Sequence, residues 1–519
     1  MSNTGNAALD KAVHTLPSLY KGPGGVVTVV KDGVVVVRHA WGHADVRKRI
    51  PMSSTTLMPI CSITKEFTCA VLLDAIGDPS TLDGGLAEYL PHFKGALPST
   101  ADLCNNQSGL RDYWALTVVC GAEPEGDFRP KDARNLLGRM QTSHFAPGTH
   151  YSYANGNFRI LSDLIESRTG RPLGELISER VFVPAKMATA QFCTETSAFP
   201  GGAVGYEGNP DFGFLPADNR IHWTGDAGIC ASLDDMIAWE SFIDATRDDQ
   251  DGLYQRISRP PTFVGGAAAK YGFGLAHMEI GGVKMTGHGG AIRGYRSQRF
   301  CAASERLSVV VMFNHQADAH TAARTIMEAA LGVEKQSSPE HIVDPLWDGH
   351  YLDATTNLTL SLKNSDSGQL TARFATTPEV VQLGADGVIR SESMELRRDG
   401  DGIRMMRPAE NLNASLVRLS GEAKKDIAGR YHFAELDADF VCTSAGGEMY
   451  GAFEGFLGRG SMQSLQPIAS DVWLLECQRA MDAPAPGDWT LHFHRDGNDV
   501  ITGVTIGCWL ARNLYFEKA

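Results

Sequence analysis

Two segments combine residue types that could do covalent chemistry at a spacing that would let them do it. Ser62-Ile-Thr-Lys65 is a Ser-x-x-Lys motif that opens a stretch with Ile63, Phe67, Ala70 and Val71 on one helical stripe. On a helix, positions three apart share a face, so the Lys65 amine can reach the Ser62 hydroxyl. A serine is a poor nucleophile until a base takes its proton, and a desolvated lysine with a lowered pKa is such a base. Taken alone, the spacing also fits a helix-capping serine and a surface lysine. The chain carries a decoy as well: Ser18-Leu-Tyr-Lys21 has the same spacing but runs into Gly22-Pro23-Gly24-Gly25, where no helix can hold the pair.

The second segment is Tyr153-Ala-Asn155, just before another apolar-striped helix expected from Asn155 to about Gly170. A phenol beside a serine and a positive charge could relay a proton to a leaving amine, and the Asn155 amide could orient Lys65 or hold a substrate carbonyl. A buried tyrosine capping the helix is an equal reading of this segment by itself. A third, weaker piece is His288-Gly289-Gly290 followed by Ala291, small residues beside an imidazole on a strand against which a substrate backbone could lie.

The elements that must position these residues alternate in type. A hairpin is expected at Gly25–Val37 around Lys31-Asp32-Gly33. The two helices follow, then strands at Tyr271–Ile280 and Leu307–Phe313 and a helix at Ala322–Leu331, a mixed α/β domain over residues 1–333. A polar linker, Glu334–Glu340, leads into short alternating strands. Trp347-Asp-Gly-His-Tyr351 is echoed by Ile427-Ala-Gly-Arg-Tyr431, which predicts two duplicated β-barrels of roughly 80–100 residues each. The domains are placed at 334–417 and 418–519, with the boundary near Val417–Lys424.

A net charge of −14 without a basic stripe argues against nucleic acid and anionic membrane as partners. The longest apolar runs are strand-length, the N-terminal residues do not read as a signal peptide, and the ten cysteines are scattered, which favours a cytoplasmic protein with reduced thiols. No Gly-x-Ser-x-Gly elbow, His-Glu-x-x-His or phosphate loop is present, so no cofactor or metal is expected. His492-Phe-His494 is read as a solvated strand face rather than a metal pair, having no third ligand nearby.

The ordered set of Ser-x-x-Lys, Tyr-x-Asn and His-x-Gly resembles the penicillin-recognising serine hydrolases. Asn106-Gln-Ser-Gly-Leu110, Pro147-Gly148 and Ala227-Gly-Ile-Cys-Ala-Ser232 add to the resemblance, which covers about residues 8–332. His288 stands where many members carry lysine, which is similar to the class C β-lactamase, esterase and D-aminopeptidase side of the family. Cys104-Asn-Asn106 departs from the usual pattern.

The resemblance implies a β-lactamase/transpeptidase-like fold and acyl transfer through an ester on Ser62. Lys65 and Tyr153 would form a coupled relay, with either as the formal base, and His288 would stabilise an ionised Tyr153. Backbone N–H groups of Ser62 and Ala291 would bind the oxyanion, with Asn155 and Gly290 contacting substrate.

The two-barrel tail resembles that of bacterial D-aminopeptidases, in which a loop of the last barrel enters the active site. Arg479–Asp488, punctuated by Pro and Gly, is the candidate loop, and Asp482 at its centre is a candidate acceptor for a substrate's free ammonium. The implied substrate is a small peptide or amino-acid amide, and a homodimer is one arrangement left open. An esterase, carboxypeptidase or β-lactamase of the same fold, or a non-catalytic penicillin-binding regulator, are the other readings.

Overall fold

The computed structural model describes residues 4–333, 345–365, 369–477 and 479–519; the expected linker 334–340 lies outside the described residues. An antiparallel eight-stranded sheet organises the first domain. In chain order its strands are β1 (Gly24–Lys31), β2 (Val34–Asp45), β3 (Ile50–Pro51), β4 (Tyr271–Gly272), β5 (Leu275–Ile280), β6 (Val283–Ile292), β7 (Tyr295–Ala302) and β8 (Leu307–Phe313). They lie side by side as β3-β2-β1-β8-β7-β6-β5-β4, so the first hairpin closes against the last strand and brings β6 beside the Ser62 segment.

Both faces of this sheet are covered, which explains why β1 and β8 read as nearly continuous apolar runs rather than alternating ones. Val27, Val29, Val309 and Val311 face α1 (Thr4–Leu19) and a C-terminal helix, Ala319–Leu331, through Leu9, Val13, Leu16, Ala322 and Ile326. Val26, Val310 and Met312 face the other way, into a core built around α2 (Thr64–Ala75) and α3 (Asn155–Thr169). The expected hairpin is present, but it is preceded by α1, which the sequence reading missed. Ser18 stands near the end of that helix, exposed, with its hydroxyl bonded to the Thr15 carbonyl oxygen.

Beyond residue 345, eight strands between Gly349 and Arg418 close a barrel with its own core of Trp347, Tyr351, Leu360, Phe374 and Met405. A second set of strands from Gly429 to Lys518 closes likewise through pairing of Ala438–Ala445 with Glu448–Gly455. The sequence echo marks one device used twice. Tyr351 donates to the Trp347 carbonyl oxygen at 3.5 Å and Tyr431 to that of Ile427 at 2.7 Å, each tying the barrel's entry segment to its first strand.

The second barrel shares a continuous apolar core with the catalytic domain, and Leu457 N–H bonds the Cys120 carbonyl oxygen at the seam. No helix among the described residues is long and apolar enough to cross a membrane.

Candidate active site

Ser62 sits in a short 3-10 turn, Cys61–Ile63, that runs directly into α2. The turn is entered through Cys61 at φ 51°, a left-handed backbone that lifts the serine to the cleft at the helix start. One turn on, Lys65 is fully buried. Its Nζ has three oxygen partners: Ser62 Oγ at 3.0 Å, Asn155 Oδ1 at 2.8 Å and the Asp226 carbonyl oxygen at 2.6 Å.

Two of those oxygens can only accept. The Asn155 amide is fixed with its oxygen toward Lys65 because its Nδ2 donates to Asp112 Oδ1 at 3.2 Å. Burial pushes the Lys65 ammonium down to about 8, against the opposing pull of Asp226 and Asp112. Near neutral pH the amine can therefore exist in both forms. Protonated, it donates to all three oxygens; neutral, it keeps two N–H bonds to the carbonyls and turns its lone pair to the Ser62 hydroxyl.

The Tyr153 ring lies beside this amine, with Nζ 4.9 Å from its centroid, and its phenol bonds the Ser62 hydroxyl. Burial raises the phenol well above its ordinary pKa, only partly offset by that bond, so the resting group keeps its proton. The loop carrying it is held by Asn106, whose Oδ1 accepts from Ala154 N and Asn157 Nδ2 and whose carbonyl oxygen accepts from Ser152 N. That gives the departure at Cys104-Asn-Asn106 a structural role.

His288 lies 6.0 Å from Tyr153, ring centre to ring centre, but differs from the expectation of an electrostatic support. Burial and the nearby Lys65 push its imidazole down to about 3, so it is neutral. Its Nδ1–H donates to the Gly289 carbonyl oxygen at 2.5 Å, and its Nε2 accepts from the Tyr271 hydroxyl at 2.9 Å. Both nitrogens are thus engaged away from Tyr153.

Strand β6 pairs with β5 only through Val283–Gly287, whereas it pairs with β7 as far as Ile292. The segment His288–Ile292 therefore keeps one ladder edge free of β5, toward the cleft. Gly290 lets that edge reach the nucleophile turn, since a Cβ there would overlap the Ile60 carbonyl oxygen and Ser297 Oγ.

A cleft of about 540 Å³ brings together Ser62, Tyr153, Asn155, His288, Gly290 and Ala291 with Asp112, Trp114 and Trp223. Ala483, Pro484, Ala485 and Leu510 of the last barrel complete its wall. Arg479–Ala480 pairs with Ala483–Pro484 in a minute hairpin whose turn is Met481-Asp482. Asp482 is buried, with Oδ2 accepting from Arg220 N at 2.7 Å and its carbonyl oxygen from Arg293 N at 2.8 Å. It lines an adjoining cavity with Glu125, Glu207, Arg293 and Arg479, which shares Ala483–Ala485 with the Ser62 cleft. Its Oδ1 is buried and, among the described residues, has no hydrogen-bond partner; burial raises the carboxyl to about 6.

Three groups escaped the sequence reading. Asp112 is raised by burial to about 6, and its carboxylate holds Asn155 through both the backbone and the amide. Asp226 orients the loop whose carbonyl oxygen binds Lys65, accepting from Thr224 N and Tyr113 Oη. Tyr271 is the third. Both aspartates stand next to segments the sequence already marks, Asn106–Leu110 and Ala227–Ser232, and that adjacency was the available signal. The two imidazoles of His492 and His494 bond to Asn357 and Thr505.

Comparison with known proteins agrees with this construction. A β-lactamase family model matches residues 9–334, and a model described as D-aminopeptidase, domain B matches residues 341–517. The curated D-aminopeptidase of Brucella canis is 56% identical over 518 residues, spanning 100% of both chains. That of Brucella anthropi is 56% identical over 100% of this chain and 99% of its own.

Among solved structures, an octameric penicillin-binding protein homologue from Pyrococcus abyssi matches at TM-score 0.51 and 18% identity, covering 79% of this chain and 99% of its own. A D-amino acid amidase from Ochrobactrum anthropi SV3, complexed with D-phenylalanine, matches at 0.51 and 19%, covering 64% and 99%. At such identities these two share the fold. With a β-lactamase-type domain carrying the Ser-Lys-Tyr cleft, the two-barrel tail and full-length identity to these relatives, the chain belongs to the D-aminopeptidase family.

Proposed function

We propose that the protein is a D-aminopeptidase that hydrolyses the N-terminal D-residue, of the D-Ala, Gly or D-Ser type, from peptides, amides and esters through an acyl-Ser62 intermediate. The observation that carries this reading is the last barrel's hairpin in the wall of a Ser-Lys-Tyr cleft, in a chain 56% identical along its whole length to curated D-aminopeptidases. Neutral Lys65 takes the Ser62 proton as Oγ bonds to the substrate carbonyl carbon. The developing oxyanion is received by the N–H groups of Ser62 and Ala291. Tyr153 gives its phenolic proton to the departing amine and recovers one from protonated Lys65, after which water attacks the ester and releases the free D-amino acid.

Two features support recognition of a free amine. The hairpin places Ala483–Ala485 in the cleft wall, where they would limit the room for an acylated amine, and Asp482 presents an unpartnered carboxylate oxygen in the adjoining cavity. All ten cysteines are free thiols, which supports a reducing compartment such as a cytoplasm.

The test is turnover of paired D- and L-alanine p-nitroanilides with their N-acetyl counterparts. The D-enantiomer with a free amine should be the substrate of the four. Equal turnover of both enantiomers, or preference for the acetylated donors, would refute the reading, and cleavage of esters without amides would make the protein an esterase.

A further inference from the structure

Toward the opposite end of β6 from the catalytic cleft, on the same face of the sheet, lies a second cavity of about 470 Å³, which shares no lining residue with the first. It is formed where the Leu233–Ala245 helix and the Leu253–Ile257 helix pass over the sheet at Lys284–Thr286, toward the other end of the strand from His288–Ala291. Val30, Ile243, Tyr254 and Cys301 supply an apolar interior, and a volume of several hundred Å³ is that of small-molecule sites.

The polar groups around this interior are mostly spoken for. Glu240 is bound by Arg299 at 2.6 and 3.0 Å, and Asp244 by Arg306 at 2.8 and 2.9 Å and by Arg247 at 3.8 Å. What remains is two amines, one carboxylate and an imidazole. Lys270 and Lys284 are exposed at the mouth and, among the described residues, form no ion pair. Glu279, cross-strand from Lys284, is the one carboxylate of the lining with no ion pair among the described residues, leaving two amines to one acid. His277 places a buried Nε2 in the same wall with no hydrogen-bond partner among the described residues.

We propose that this cavity is a binding site for a small amphipathic monocarboxylate, its apolar tail among Val30, Ile243 and Tyr254 and its carboxylate at the mouth between His277, Lys270 and Lys284. On a chain of net charge −14, two unpaired amines over an apolar pocket select an anionic head over a neutral or cationic one. The occupant would be seated over Glu240 and Tyr254, both bonded to Arg299, which also bonds Glu66 next to Lys65. The site therefore lies against the charged network beneath the nucleophile's helix, separate from the substrate cleft.

Isothermal titration of the full chain with octanoate, 1-octanol and octylammonium, each below its aggregation limit, tests this. Saturable binding of one octanoate per chain is expected, roughly tenfold or more tighter than octanol, with octylammonium weakest. The surface double variant Lys270→Glu/Lys284→Glu should weaken octanoate about tenfold while leaving octanol unchanged, and Ile243→Trp should abolish both by filling the cavity. No saturable octanoate binding, equal affinity for the three probes, or octanoate binding untouched by the double variant would overturn the proposal.

Discussion

At the scale of single residues, the environment of Lys65 sets what the cleft can do and when. Its amine is lowered to about 8 by burial, and the neutral form is the one that accepts the Ser62 proton. The acid limb of the kcat/KM profile should therefore rise with pH toward about 8. Asp226 and Asp112 hold that value up, because their negative charge favours the ammonium. Asp112→Asn keeps an oxygen for the Asn155 N–H groups but removes the charge, so the limb should move to lower pH; an upward shift would mean that Asp112 acts otherwise.

Lys65→Ala and Tyr153→Phe should each lower turnover by about a thousandfold, with the double variant little worse than either, as for groups acting as a unit. Losses that multiply would separate the two roles. The trio itself was legible because its members recur at short spacings next to apolar-striped helices. Asp112 and Asp226 were not, since a carboxylate becomes informative only once folding shows which amide or loop it holds. The neutral state of His288 was hidden for a related reason: a sequence carries no record of how deeply a side chain is buried.

At the scale of elements, two close approaches shape the cleft. The first is β6 against the Cys61–Ile63 turn, allowed by Gly290. Gly290→Ala should push the strand from the nucleophile and lower kcat/KM about a hundredfold, with the fold retained by circular dichroism. Unchanged kinetics would show that the strand can yield.

The second is the 480–486 hairpin. Asp482→Asn should lower kcat/KM for free-amine substrates by roughly 2–4 kcal/mol equivalent, and deletion of residues 480–486 should in addition admit N-acylated donors. If both variants keep full activity and still reject acylated donors, the ammonium acceptor lies on the catalytic domain. Helices at Ser62, Asn155 and Ala322 could be read from their apolar period. Helix α1 carries that period too, in Leu9, Val13 and Leu16, but Pro17 and the polar start at residue 4 obscure it.

At the scale of the whole molecule, the tail divides its labour. The first barrel has a self-contained core and touches the catalytic domain through contacts such as Tyr151 N–H on the Glu410 carbonyl oxygen. The last barrel merges its core with that domain and supplies Leu510, whose carbonyl oxygen accepts from Asp112 N at 2.9 Å. The duplication was readable from the Trp347–Tyr351 and Ile427–Tyr431 echo. Which barrel reaches the cleft could not be read from the echo itself; the resemblance pointed to the loop of the last barrel, whose Ala483–Ala485 line the cleft.

The two corners should differ in strength: Tyr431→Phe, losing a 2.7 Å buried bond, should lower stability by about 1 kcal/mol, and Tyr351→Phe, losing one of 3.5 Å, by less. Denaturation midpoints in the reverse order would contradict that ranking.

The central claim is that a free-amine D-aminoacyl group is transferred to Ser62. Its most direct test is rapid acid quench during turnover of D-alanine and L-alanine esters, followed by peptide mass spectrometry. The account predicts one alanyl group on the peptide containing Ser62 with the D-ester, none with the L-ester, and none in Ser62→Ala. An adduct on another residue, or equal labelling of Ser62 by both enantiomers, would contradict it.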